Sequence, residues 1–321
     1  MHHPRASGAP VTEIPCDRRD LSPTDRLPPF LCVGTRVSDD GPVAPSTCEP
    51  IGDGTDPGLE PYRTLRLRKD LGRLTRFVAE GDKVVDRLLE SAYPVESLLA
   101  TVAAFARVQH LVERRPEPIR VFLATSKDEI HRVTGFQSED LKAVGRIPRP
   151  TTLDDVMGRT VAPRTFAALD GVTNAENVGV VVRNAAGLGV HALLVADTTC
   201  SPYLTRAIHT SMGAVFRLLV VEGLPLAETL RRLRVRGVRS VAAHPTATGR
   251  SLAEVDFRGD VCIVLGSEGD GISPEVLAAC DVQASIRMSA GVDSLNVGSA
   301  AAAFFYEASR QRRGDGHFKT T

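Results

Sequence analysis

The sequence predicts an α/β protein: a small α/β domain followed by a larger parallel sheet covered by helices on both faces. Three observations predict this. From Tyr62 onward, short apolar runs alternate with amphipathic stretches. In the second half, strands are followed by helices at a spacing that suits crossover connections between parallel strands. Between the two series, Gly145 to Pro150 carries two prolines and no apolar period. With 321 residues, the chain is long for one domain and comfortable for two.

Taken in order, residues 1–58 hold ten of the 21 prolines, carry net negative charge and show no helical or strand period. They are expected to stay without fixed structure, because they offer too little apolar surface to offset chain entropy. Residues 59–145 read as strand RFVAEG, helix DKVVDRLLESA, strand ESLLAT, helix AFARVQHLVERR, strand IRVFLAT and helix SKDEIHRVTG. Residues 146–159 read as a linker. Residues 160–311 read as TFAALDGV, a long helix, ALLVAD, LTRAIHTSMGAVF, RLLVVE, PLAETLRRLRVRG, RSVAAH, VCIVLG, SPEVLAACD, VQASIRM and a final alanine-rich helix, with a tail at 312–321. Ligands of such sheets bind at the carboxyl ends of the strands.

Lys plus Arg and Asp plus Glu each number 39, so net charge excludes nothing; the distribution matters. The first 60 residues are acidic, whereas Pro61 to Pro150 is basic, with Arg63, Arg66, Arg68, Lys69, Arg73 and Arg76 close together. A surface for a polyanion is expected after residue 60. No apolar run reaches the roughly 20 residues of a membrane span, and no secretory pattern opens the chain, so a cytoplasmic location with reduced cysteines is expected. Of the six cysteines, Cys16, Cys32 and Cys48 are too widely spaced for a metal knuckle, and Cys200, Cys262 and Cys280 lie in or beside apolar runs. They read as structural thiols, and no metal site is expected.

Several motif matches fail on context. Gly187, Gly189 and Ala192 imitate a dinucleotide glycine pattern but follow a helix, so they read as its end. No phosphate-loop lysine motif occurs, and GSEG at 266–269 lacks the spacing of a nucleophile elbow. Three other segments carry more. In LDGVTNAENVGVVVRNAAGLG, Thr173 and Glu176 are spaced as a capping box starting a helix near Asn174. Val178, Val181, Val182, Ala185 and Leu188 supply its buried face, and Arg183 lies between Gly179 and Gly187, i, i+4 and i+8. Either the glycines leave room for the charged head to meet a substrate, or Arg183 is a surface residue above a glycine-mediated helix contact. CIVLGSEGDGISPEVLAACD runs a strand into Gly266 and a loop bearing Glu268, with Ser273 and Pro274 starting the next helix. In ASIRMSAGVDSLNVGSAAAAFFYEASRQ, a strand ends at Met288. A helix follows near Ser294, capped by Asp293 or Ser294, with Ser294 and Asn296 in its first turn, where free N–H groups bind polar ligands.

Together, NAENVGVVVRNA, LGSEGDGIS and SLNVGSAAA resemble, in order and spacing, the three motifs of the SpoU (TrmH-like) RNA methyltransferases, and RFVAEGDKVVDRLL resembles the start of their substrate-binding domain. The resemblance implies a trefoil-knotted parallel-sheet methyltransferase domain over 160–311 preceded by a small α/β RNA-binding domain, a homodimer, and methyl transfer from S-adenosylmethionine to a ribose 2′-oxygen of RNA. It implies that Arg183 activates the ribose hydroxyl with Asn177 in support. Glu268, Ser294 and Asn296 then complete the catalytic centre. His244, Leu265, Gly266, Ile286, Met288 and Leu295 would hold the cofactor. The chain departs from the family pattern at Glu176, where glycine is usual, and at Arg287, where proline is usual. A guanosine of large-subunit ribosomal RNA is the expected target; transfer RNA, self-protection against a ribosome-targeting antibiotic, and a non-catalytic RNA-binding role are the alternatives.

Overall fold

The computed structural model describes residues 36–38, 41–43, 46–65, 74–137, 139–245, 250–289 and 294–313. Two short strands, β1 (Arg36–Ser38) and β2 (Gly41–Val43), pair antiparallel. A five-stranded sheet follows, built from β3 (Thr47–Pro50), β4 (Arg76–Glu80), β5 (Val95–Thr101), β6 (Arg120–Ala124) and β7 (Leu141–Arg146) in the order β3-β6-β5-β7-β4. Its helices are α1 (Glu60–Thr64), α2 (Asp82–Leu89), α3 (Val102–Val112) and α4 (Lys127–Thr134). Tyr62, Val78, Leu99, Phe122, Ile130 and Val144 share one buried cluster of this sheet.

Two expectations are corrected here. Residues 47–58 do not lack structure: β3 pairs parallel with β6, and Ile51 and Leu59 are buried. A four-residue edge strand ending on Pro50 gives almost no periodic signal, and an edge position tolerates the proline. Gly145 and Arg146 are not linker residues but the end of β7, which pairs antiparallel with β4 and β5. Lys142 hides β7 in the sequence by interrupting its apolar run; it is fully buried, with Nζ 2.7 Å from Glu80 Oε1. Two members of the basic cluster are among the described residues. Arg63 donates to the carbonyls of Val133 and Gly54, and Arg76 pairs with Glu96 at 3.0 Å; Arg66, Arg68, Lys69 and Arg73 lie outside the described residues.

The second sheet is parallel throughout. Its strands are β8 (Thr165–Asp170), β9 (Ala192–Ala196), β10 (Leu219–Leu224), β11 (Arg239–Ala243), β12 (Arg250–Ser251), β13 (Val261–Gly266) and β14 (Val282–Ser285), ordered β10-β9-β8-β13-β11-β14-β12. On one face α5 (Leu153–Arg159), α8 (Leu226–Val235) and α9 (Pro274–Ala279) bury Leu153, Val156, Leu230, Leu233 and Val276 against Phe166, Leu194, Cys262 and Val264. The alternate strand residues Ala167, Leu193, Ile263 and Leu265 are also buried and face the other layer. There α6 (Ala175–Gly187) packs against α7 (Thr205–Thr210) and α10 (Val297–Arg313).

The supposed linker therefore contains α5, whose Thr152–Asp155 capping box starts a helix that contributes to the core. β14 ends at Ser285 and not at Met288. The last helix continues past residue 311: Arg312 donates to the carbonyls of Phe257, Arg164 and Gly259, tying the helix end to the strand starts. Cys200 and Cys262 are buried and Cys280 half-buried, all as free thiols. Burial pushes the Cys200 thiol up to about 11 and that of Cys280 to about 12.

The two sheets meet through aromatic rings. Phe77 of β4 stacks on Phe216 with centroids 5.3 Å apart, Tyr93 lies 5.4 Å from the same ring, and the hydroxyls of Tyr93 and Tyr203 are 2.9 Å apart. Arg87 of α2 also donates to the Met212 carbonyl.

Candidate active site

β13 runs into a tight loop in which Ser267 and Gly271 exchange backbone hydrogen bonds of 3.0 and 3.1 Å. Gly266 lies so close to the Gly271 backbone that any Cβ would overlap it. The turn leaves Glu268 at an exposed tip. Its far end is anchored by Asp170, a buried carboxylate at the end of β8, whose Oδ2 accepts the Ser273 N–H at 2.7 Å. Sequence reasoning did not single out Asp170; a lone carboxylate closing the apolar run TFAALD was the available signal. Ser273 does precede the helix with Pro274 at its first position, but its side chain makes no cap bond.

α6 begins with Asn174 as the cap, its side chain accepting the Glu176 N–H at 2.9 Å. The Thr173–Glu176 capping box does not form: with the cap at Asn174, Glu176 is the second helical residue, not the third, and cannot reach back. Glu176 instead pairs with Arg206 of α7. The departure from the family's glycine is thus matched by a cation on the neighbouring helix. Val178, Val181, Val182 and Ala185 are buried as expected, while Leu188 is half-buried.

α10 starts at Val297, later than the sequence suggested, because Asn296 Oδ1 takes the Gly298 N–H at 2.8 Å and acts as the cap. Asp293 lies outside the described residues. Gly298 sits against Val180 with no space for a Cβ, and Asn184 Nδ2 donates to its carbonyl at 2.8 Å. This close approach brings Asn296 to α6, where its Nδ2 donates to Asn177 Oδ1 at 3.1 Å and also to Glu268 Oε1. One amide therefore joins all three sequence segments.

A cleft of about 410 Å³ opens beside this bridge at the carboxyl ends of β11, β13 and β14. All six residues expected to hold the cofactor, His244, Leu265, Gly266, Ile286, Met288 and Leu295, line it, together with Glu268 and Ser294. Val297, Ala300 and Phe304 complete the wall and were missed, since their helical period reads as plain core. Arg287 is exposed and 3.4 Å from Glu254, a weak surface pair.

Arg183 stands apart from the cleft. It is exposed, and no hydrogen bond or ion pair joins it to another described residue. With about 3.6 residues per turn, it lies between Gly179, which faces α7, and Val180 and Asn184, which face α10. The glycines do not make room for it. A Cβ on Gly179 would stand 2.7 Å from the Ala207 carbonyl and from Thr210 Cβ, so this glycine admits α7, whereas Gly187 has open space around it. The guanidinium is free because it faces solvent, above a glycine-mediated helix contact.

A parallel α/β sheet with a cleft at its strand ends and a polar cluster on the cleft's rim defines a class of protein, the α/β proteins that take a small-molecule ligand at their strand ends. Comparison with known proteins gives the family. The profile of the SpoU rRNA methylase family matches residues 164–306. An uncharacterized tRNA/rRNA methyltransferase of Mycobacterium tuberculosis is 33% identical over 280 residues, 84% of this chain and 93% of that protein. The 23S rRNA (guanosine-2′-O-)-methyltransferase RlmB of Ralstonia nicotianae is 33% identical over 78% of this chain and 92% of its own length. A structure from Porphyromonas gingivalis assigned to the TrmH family is 28% identical, with a TM-score of 0.67 over 79% of this chain and 96% of its own. The same fold recurs in the SpoU methyltransferase AviRb of Streptomyces viridochromogenes, solved with AdoMet (TM-score 0.70, 23% identity, 80% of this chain and 99% of that one). The chain belongs to the SpoU family and is an RNA methyltransferase.

Proposed function

We propose that this protein methylates a ribose 2′-oxygen of structured RNA, a guanosine of large-subunit ribosomal RNA. The observation that carries the reading is the Asn296 bridge: it gathers Asn177 and Glu268 on the rim of the one cleft that holds all six expected cofactor residues. The similarity to RlmB supports the choice of RNA and nucleotide.

The cleft suits the donor. Its volume falls in the range of roughly 300–1,000 Å³ typical of ligand sites, Leu265, Ile286, Met288 and Leu295 offer apolar surface for an adenosine, and Glu268 supplies a carboxylate on the rim. When bound there, S-adenosylmethionine supplies a methyl already made electrophilic by its sulfonium, so the protein must align the acceptor and help remove one proton. Backbone groups at the ends of β11 and β13, around His244 and Gly266, would hold the donor. Asn296 and Asn177 fix the rim, Glu268 orients, and Ser294 offers its hydroxyl to the ribose. A guanidinium is a poor base, so Arg183 does not act alone; it works with the neighbouring RNA phosphate to take the 2′-hydroxyl proton, a role that suits a solvent-facing guanidinium with no partner among the described residues.

In this reading the five-stranded unit binds RNA, reading shape and exposed loops. The C-terminal segment forms the trefoil knot. Two facts support that path: β14 lies between β11 and β12, yet α10, which follows it, returns across the sheet to pack on β13 and α6. The outward stripe of α10, with Ala302 and Ala303 half-buried and Tyr306 exposed, provides a surface for an isologous homodimer. The protein acts in the cytoplasm, where such RNA is found. Ribose-methylation mapping of total RNA from cells with and without the gene tests the function. We expect one large-subunit guanosine to lose its 2′-O-methyl group; a change confined to transfer RNA, or no change, would refute the reading.

A further inference from the structure

A second cavity, of about 810 Å³, lies between the two sheets and shares no lining residue with the donor cleft. One wall comes from the small domain, with Lys127 and His131 of α4 and Glu139 beyond it; the other comes from α7, with Thr205, Arg206 and His209. Glu176 also borders it. The next residue, Asn177, receives the hydrogen bond from Asn296, so this cavity adjoins the catalytic rim.

We propose that the cavity is a second RNA subsite, which takes an unpaired nucleotide flanking the methylated one. The proposal rests on the ribose-methylation reading and adds a specificity contact to it. The chemistry of the walls matches the parts of a nucleotide. Lys127 is a cation for a phosphate, and the exposed imidazole of His209 is a surface on which a base stacks. Glu139 is an acceptor for the amino or imino edge of a base. Glu176 and Glu80 are already matched by Arg206 and by the buried Lys142, which limits their repulsion of a phosphate.

A second observation is independent of charge. Thr205 is only 7% exposed, and its Oγ1 has no hydrogen-bond partner among the described residues. Buried hydroxyls are nearly always satisfied; this one exposes almost no surface, so a turn of the Thr205 side chain would present it to a ligand group in the cavity that Thr205 lines. The cavity is also held open before any ligand arrives. Phe77 precedes Glu80 by three residues on β4, Tyr203 precedes Thr205 by two, and these rings stack with centroids 6.0 Å apart. Both walls are thereby clamped, which lowers the ordering cost of binding.

The test uses the full-length protein with large-subunit ribosomal RNA from cells lacking the gene, comparing wild type with Thr205→Val and with the double variant Lys127→Ala/His209→Ala. RNA affinity is read by filter binding, transfer with labelled S-adenosylmethionine, and folding by circular dichroism. For the double variant we expect Kd and KM for RNA to rise about tenfold, the effect of losing a charge-assisted contact. A smaller rise is expected for Thr205→Val, with kcat at saturating RNA and donor affinity near wild type. RNA affinity within twofold of wild type in both folded variants overturns the subsite. So does a loss confined to intact ribosomal particles and absent with naked RNA, which would place a protein there instead. If wild type binds this RNA without methylating it, the ribose-methylation reading fails while the comparison of Kd values still decides the subsite. If wild type does not bind it, both fail.

Discussion

Arg183 and Asn296 divide the work of the site between them. Asn296 spends its whole amide on structure: its oxygen caps α10 and its nitrogen holds Asn177 and Glu268. Arg183 has no partner among the described residues and faces solvent, so its removal leaves no buried charge behind and should cost little stability. Arg183→Ala is therefore expected to abolish methyl transfer, by at least about 100-fold as for loss of a group assisting proton transfer, while calorimetry shows unchanged S-adenosylmethionine binding; retained transfer would remove Arg183 from the mechanism. A different residue gives a pH signature. Burial alone would raise the carboxyl of Asp281, but hydrogen bonds from Ser240 and Arg234 more than offset this and hold it below its ordinary value. A lowered folded-state pKa stabilises the protein above the unfolded value of about 3.9 and loses that contribution as pH falls through the folded value. Asp281→Asn should thus lower the denaturation midpoint at pH 7, and the gap from wild type should close as the pH drops below about 4.

At the scale of elements, the site depends on how near α10 comes to α6. Gly298 is the point of contact, pressed on Val180 and bonded by Asn184 through its carbonyl. Gly298→Val would push the two helices apart at the turn that carries Asn296. The expected cost is about 1–3 kcal/mol of stability, as for overpacking elsewhere, together with weakened donor binding, since Leu295 and Val297 line the cleft beside it. Thermal melts with and without S-adenosylmethionine measure both. Near-wild-type behaviour in both melts would show that the contact is not needed. Most of these elements were legible as sequence. β4, α2, β5, α3, β6 and α4 fall where alternating periods place them, and the six residues that the family resemblance implies for the cofactor share a cleft because they sit at strand ends and in the loops after them. β3, β7 and α5 were not legible, for reasons visible at Pro50, Lys142 and the prolines before Thr152: each breaks the local pattern that a buried partner elsewhere makes tolerable.

Over the whole molecule, the two sheets act as one body because Phe77, Tyr93, Tyr203 and Phe216 pack between them. Phe216 is 7% exposed, and Phe216→Ala should cost about 3 kcal/mol or more, as for other buried phenylalanines. Wild type is expected to unfold in a single calorimetric transition, and the variant in two as the sheets uncouple; a single, unshifted transition in the variant would show the rings to be dispensable. Sequence alone determined the α/β class, the order of most elements and the strand-end loops that carry Gly266 and Glu268, because apolar period, caps and turn residues act over a few positions. Tertiary structure alone decided that Asn296 meets Asn177, 119 residues away, that Glu176 is neutralised by Arg206 instead of capping its own helix, and that Gly179 serves α7 and not Arg183. Each of these is a contact between segments distant in the chain, set by the path that brings α10 and α7 onto α6, and no local pattern records that path.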